Sequence, residues 1–111
     1  MRLINLTPHP VNLLLGGRTI TVPPEGVVAR VREEVLPDSS VVLDDGVEIP
    51  VVKKVLREVT GLPEPSEGVF FIVSLAVAQA AREREDLLVP DDFVRDEEGR
   101  IIGARRLSRL R

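Results

Sequence analysis

The densest group of side chains able to do chemistry is Asn5-Leu6-Thr7-Pro8-His9-Pro10-Val11-Asn12. It sets an amide, a hydroxyl, an imidazole and a second amide in one short connection. Two prolines restrict that connection, which lowers the entropy cost of holding its polar groups around a ligand. His9 is the single histidine and could donate to a phosphate or a base, or serve as a general base. The bland alternative is a histidine bonded to the backbone of a tight turn. Ser74 stands where an apolar strand passes into a helix-forming run; it reads as an N-cap, and the N–H groups behind it could meet an anion. Gln79 is the one uncharged polar residue inside that helix, where it either satisfies an interface or reaches a ligand. Arg82 shares its face. Arg105 and Arg106 offer planar guanidinium forks suited to phosphate or carboxylate.

Several chemistries are excluded by composition. Without cysteine there is no disulfide, zinc–thiolate site, iron–sulfur cluster or thiol nucleophile, and one histidine rules out a multi-histidine metal centre. Val73-Ser74-Leu75 lacks the glycines of a nucleophile elbow. No phosphate-binding loop, dinucleotide fingerprint or calcium loop is present. The acid pairs Asp44-Asp45 and Asp91-Asp92 sit in turn-like stretches, where carboxylates are normally solvated. The expectation is a binding protein rather than an enzyme, with no cofactor and no metal.

The net charge of −3 disfavours general nucleic-acid binding, which needs a basic footprint. Charge is nevertheless uneven. Residues 82–98 hold eight acids against three arginines, whereas residues 99–111 hold five arginines and no acid. Either the two segments neutralise each other on a solvated surface, or the basic one meets phosphate or an acidic partner. No apolar run approaches the ~20 residues of a membrane span, and Met1-Arg2-Leu3 does not open a signal peptide. A cytoplasmic location is expected.

The elements that must position these groups are mostly strands. Across 111 residues Val and Ile supply 24 positions and Ala only 6, a β-rich balance in a chain long enough for one domain, residues 1–111. Arg2–Leu6, Val11–Leu15 and Arg18–Val22 read as successive strands, the last two joined by Gly16-Gly17. Val27–Leu36 follows and is expected to end at Pro37-Asp38-Ser39-Ser40. Val41–Leu43 and Val47–Val52 flank Asp44-Asp45-Gly46 as a hairpin, with Pro50 implying an edge or a bulge. Residues 53–59 fit helical spacing, yet their β-branched content favours a strand. Val69–Val73 is a buried strand, Leu75 to about Glu85 a helix, and Val94 and Ile101–Gly103 flank the turn Asp96–Gly99. Together these predict an α+β, β-rich fold: an antiparallel meander with one main buried helix. That helix is apolar nearly all round for two turns. A single-layer sheet covers one face only, so a second subunit is expected on the other, making the chain a homo-oligomer.

The opening Ile4–Leu13 resembles the start of a group of short proteins of bacteriophages and high-G+C bacteria. The likeness extends to Glu58–Pro65, to Phe71-Ile72-Val73-Ser74 with Val77-Ala78-Gln79-Ala80, and to Val94–Glu97 with Gly99–Gly103. It implies a family without implying an activity. By analogy, size and expected self-association are similar to phage anti-defence proteins that sequester nucleotide signals without cutting them. In that reading the ligand is a small anion, a cyclic nucleotide among them, held by the Thr7–His9 loop and by arginines. The alternative is a structural or assembly module that binds other proteins.

Overall fold

The computed structural model describes residues 1–111, and its centre is set by the one run that is apolar without alternation. Val69-Phe70-Phe71-Ile72 forms strand β6. Phe71 and Val73 pack toward the helix side of the core, while Ile72, 0% exposed, points the other way. A strand buried on both faces belongs in the interior of a sheet with partners on each edge. Strand β1 (Arg2–Asn5) lies parallel to β6 on one edge and β7 (Leu87–Arg95) parallel on the other. Strand β8 (Ile101–Ser108) pairs antiparallel with β7 across the Asp96–Gly99 turn. Beyond β8 come β2 (Val11–Leu14), parallel to it, and β3 (Thr19–Val22), antiparallel to β2. The order is therefore β1-β6-β7-β8-β2-β3.

This overturns the meander. The N-terminal strands and β6 stand near their expected places and the β-rich balance with one helix holds, but β7 begins at Leu87 and β8 runs to Ser108, well beyond the expected Val94 and Ile101–Gly103. The sheet is also mixed, and three of its pairings are parallel. The demand of β6 for two neighbours places β1 beside it instead of beside β2. The sheet also curls until its edges meet: Glu25 N–H donates to the Asn5 carbonyl, and Asn5 bridges Pro24.

Strands β4 (Arg30–Val42) and β5 (Glu48–Thr60) leave this body as a separate two-stranded antiparallel ribbon. The expected break at residues 37–40 does not occur. Strand β4 runs through Pro37, and an irregularity between Pro37 and Ser39 takes up the misfit. Pro50 pairs with Ser40 in a ribbon whose outer edges are both free, where a missing N–H is tolerated. Residues 53–59 are strand, as expected. The ribbon gives the molecule extents of 56 × 39 × 24 Å and a radius of gyration of 17.8 Å, against about 13 Å for a compact domain of this length.

Helix α1 (Leu75–Ala80) is capped by the Ser74 hydroxyl, which accepts from Val77 N–H at 3.3 Å. It stops about a turn before the expected Glu85. Arg84 explains the ending: it donates to both carboxylate oxygens of Asp86 at 2.8 Å and to the Pro63 carbonyl at 2.9 Å, which holds the chain in a turn leading into β7. One face of α1 is covered within the chain. Val77, Ala78 and Ala81 share a core with Phe71 and Leu87, and Val31 and Val59 from the ribbon's base, with Leu62 just after it, close over it. Leu75, on the opposite side, stays 51% exposed. No helix is long and apolar enough to cross a membrane.

Candidate functional site

Asn5 is 1% exposed, and its amide organises the connection from β1 to β2. Its Nδ2 donates to the carbonyls of His9 at 2.8 Å and Val22 at 3.0 Å, while Oδ1 accepts from Thr7 N–H at 2.9 Å. The last bond closes an Asx turn. The Thr7 hydroxyl lies 2.6 Å from Asn5 Oδ1 and 3.0 Å from the His9 carbonyl, with one proton to give to either. No buried side-chain polar atom is left without a partner. Asn5 is thus the internal frame of this loop and faces no cleft.

The frame presents Thr7 and His9 outward. They form one wall of a cleft of about 450 Å³, with Pro10 and Val11 beside them. Ser74 and Leu75, at the start of α1, supply another wall. Val89, Pro90, Asp91 and Phe93 of β7 and Ser108 of β8 supply the third. The volume lies in the range of small-molecule sites, and the composition suits one: apolar walls with a few convergent hydroxyls and one imidazole. The His9 side chain is exposed and makes no hydrogen bond within the chain. Phe93 is 50% exposed although its cross-strand neighbour Ala104 is buried. Beside it, Asp92 takes φ = 57°, the only non-glycine residue with positive φ. A left-handed aspartate within a strand is a local strain, and here it adjoins the cleft's aromatic residue.

Two arginines of β8 pair with the acids of β7, one of which, Asp91, lines the cleft. Arg106 Nε donates to Asp91 at 2.9 Å and Arg105 to Asp92 at 3.4 Å. The Arg106 bond holds the Asp91 carboxyl below the usual aspartate range, and the same pairing raises Arg106. The basic end of the chain therefore neutralises the acidic stretch before it, the first of the two readings of that charge pattern. Arg100 with Asp96 and Arg111 with Glu85 continue it.

Of the residues singled out from sequence, Thr7, His9 and Ser74 meet in one cleft, and Arg106 is bonded to its Asp91. Asn12 lies in an adjoining groove with Ile101 and Ile102, accepting from the Thr21 hydroxyl at 2.8 Å and donating to the Ile102 carbonyl at 3.3 Å. Gln79 and Arg82 are exposed and line no wall of this cleft. Asp91, expected as a solvated acid in a turn, lies in β7 and lines the cleft, as do Phe93 and Ser108, which the sequence does not single out as site residues. Phe93 carried a signal, as the one aromatic outside the β6 run, directly after two acids.

A larger hollow of about 600 Å³ lies near the chain's C-terminal end, and of its twelve lining residues only Val69 and Phe70 are apolar. Some of its charges are paired: Arg84 with Asp86 and Arg111 with Glu85, Arg111 also donating to the Glu83 carbonyl at 2.6 Å, whereas Glu67 and Arg109 form no ion pair within the chain. No cluster of His, Asp or Glu anywhere in the chain could hold a metal ion. No protein-family model, curated protein or solved structure matches the chain.

Proposed function

We propose that this chain is a non-enzymatic binding protein that takes a small anionic ligand of the nucleotide class into the cleft between Thr7–Pro10 and Phe93. The observation that carries the reading is convergence. An unpaired imidazole, the Ser74 and Ser108 hydroxyls and a half-exposed phenyl ring line one cleft built from four separate segments. Phe93 offers a face for a base to stack on. His9 and Arg106 offer donors to phosphate, Arg106 by exchanging its bond from Asp91 to the ligand. The same geometry lacks the parts of a hydrolytic site. No carboxylate orients His9, and the Ser74 hydroxyl is bonded to the helix start, so no activated nucleophile is assembled. Binding without turnover fits sequestration of a cyclic-nucleotide signal in a host cytosol, the role suggested by the likeness to phage proteins.

The test is equilibrium dialysis against AMP and against a cyclic dinucleotide, read at 260 nm, where a chain without Trp or Tyr contributes little. The wild-type chain should retain one of the two probes and return it unchanged by mass. His9→Ala and Phe93→Ala should each weaken retention by about tenfold, the size of a lost stacking or charged contact. Wild-type retention by both variants would place the ligand elsewhere. An assembly module is the second reading, and the exposed apolar ribbon favours it.

A further inference from the structure

The chain exposes 7766 Å², whereas a folded monomer of its mass exposes about 6,100 Å². The excess, on the order of 1,700 Å², is more than one partner contributes to a standard interface, about 800 Å². Much of it belongs to the ribbon. At ~3.3 Å per residue, β4 and β5 extend roughly 40 Å, and every residue from 37 to 50 is exposed. Seven of the fourteen exposed large hydrophobic residues fall within 35–52. An isolated two-stranded ribbon is marginal in water.

We propose that the outer half of this ribbon is an interface between two copies of the chain, packed face to face about a two-fold axis. Edges are ill suited to the contact, because Pro37 in β4 and Pro50 in β5 cannot donate to a third strand. One face is suited to it. Strand alternation places Glu48, Pro50, Val52 and Lys54 on the same side of β5. Val42, the most exposed of the ribbon's aliphatics at 65%, pairs with Glu48, and Val35 pairs with Lys54. Along β4 that face also carries Val31, which packs on the core. Beyond the exposed Glu33, that face resumes outward with Val35, Val52 and Val42 and has no cover.

Charge selects a second copy as the cover. At the base, Arg32 pairs with Glu58 and Arg57 with Glu34. Farther out, Lys54 and Glu48 form no ion pair within the chain, and the cross-strand neighbour of each is a valine. They stand six residues apart on one face, with Pro50 and Val52 between them. A two-fold axis passing between Pro50 and Val52 brings each Lys54 to the Glu48 of the other copy, two pairs per dimer, with the valines enclosed. A self-complementary patch of this kind is what an isologous interface requires.

Light scattering with refractive-index detection, combined with sedimentation equilibrium, measures the association of the full chain. The wild type should be a dimer at ~10 μM, in the affinity range of standard-size interfaces. Val52→Asp should be monomeric with an unchanged far-UV circular dichroism spectrum. Lys54→Glu should raise the dissociation constant by about tenfold, and adding Glu48→Lys should restore most of that loss by reversing both pairs. A wild-type monomer at ~100 μM would overturn the proposal, leaving the face to a different partner. So would a dimer indifferent to Val52→Asp, or a charge reversal that the second reversal fails to rescue.

Discussion

The side-chain amide of Asn5 donates to the main-chain carbonyl of Val22 at 3.0 Å, so one residue at the end of β1 ties down the end of β3. The same nitrogen reaches the His9 carbonyl, and the Asn5 carbonyl accepts from Glu25 N–H. Closure of the curled sheet and the shape of the Thr7–Pro10 wall therefore depend on one buried amide. Asn5→Ala leaves the Val22 carbonyl and the Thr7 N–H without their Asn5 partner, while the His9 carbonyl keeps the Thr7 hydroxyl. Each buried group so orphaned costs ~1–3 kcal/mol, and a loss of about 3 kcal/mol is expected in urea unfolding followed by circular dichroism. Asn5→Asp keeps the acceptor but loses both donations, and it should recover only a minor part of the loss.

Gly61 sets the ribbon on the body. Its φ is +78°, and a β-carbon there would run into the Val28 carbonyl oxygen, which is backbone and cannot turn aside. Gly16 has a similar φ, +67°, but open space around it. Gly61→Ala should cost at least ~3 kcal/mol, as strain and clash combine. Gly16→Ala should cost about 1 kcal/mol, the left-handed penalty alone. Paired thermal melts of the two variants separate the effects, and equal losses would show that the approach to Val28 relaxes freely.

Much of the architecture could be read from the residues themselves. The β6 run, the Ser74 cap, the Gly16-Gly17 hairpin and the strand at 53–59 all follow from local pattern. Pairing does not, because which strand lies beside β6 depends on contacts distant in sequence; hence the meander gives way to a mixed sheet, and β7 and β8 extend far beyond the expected Val94 and Ile101–Gly103. The helix end was hidden for the same reason, since Arg84 is held by Pro63, 21 residues earlier. Pro37 misled because a proline breaks a central strand but is tolerated in a free-edged ribbon. At the site, Thr7, His9 and Ser74 could be singled out by residue type. Asn5 looked like their equal, and only its burial shows it to be the frame. Phe93 is visible as an aromatic residue but not as a wall, because the cleft joins it to segments distant in sequence, Thr7–Val11 and Ser74–Leu75.

Acid should loosen the turn that follows α1. Arg84 and Asp86 are largely shielded, with side chains 17% and 14% exposed, and hydrogen bonding from Arg84 holds the Asp86 carboxyl below its ordinary 3.8. A carboxyl with a depressed folded-state pKa binds fewer protons folded than unfolded. Its contribution is fully present above the ordinary aspartate value and is lost as pH falls through the lowered one. Asp86→Asn should therefore be less stable than wild type at pH 7, with the gap narrowing below about pH 4. Urea midpoints from pH 7 to pH 2.5 measure this, and a gap constant across the range would mean that the ion pair is not its source.

The cleft's affinity for anions should rise when its own acid is removed. Arg106 is the cation bonded to the cleft's own carboxylate, and that bond to Asp91 at 2.9 Å must be exchanged before it can meet a phosphate. Both side chains are substantially exposed, so the pair holds weakly, and its loss should leave stability within ~0.5 kcal/mol of wild type. Asp91→Asn frees the guanidinium and removes a negative charge from the wall. Dialysis against AMP at low salt should then show binding tightened a few-fold, an effect that shrinks as salt screens the charges. Arg106→Ala removes the cation and leaves Asp91 bare, which should weaken retention by about tenfold or more. The opposite signs of the two variants are the informative result. If both weaken retention alike, the Asp91–Arg106 pair supports the cleft wall as a unit, and the phosphate is met by His9 and the hydroxyls instead.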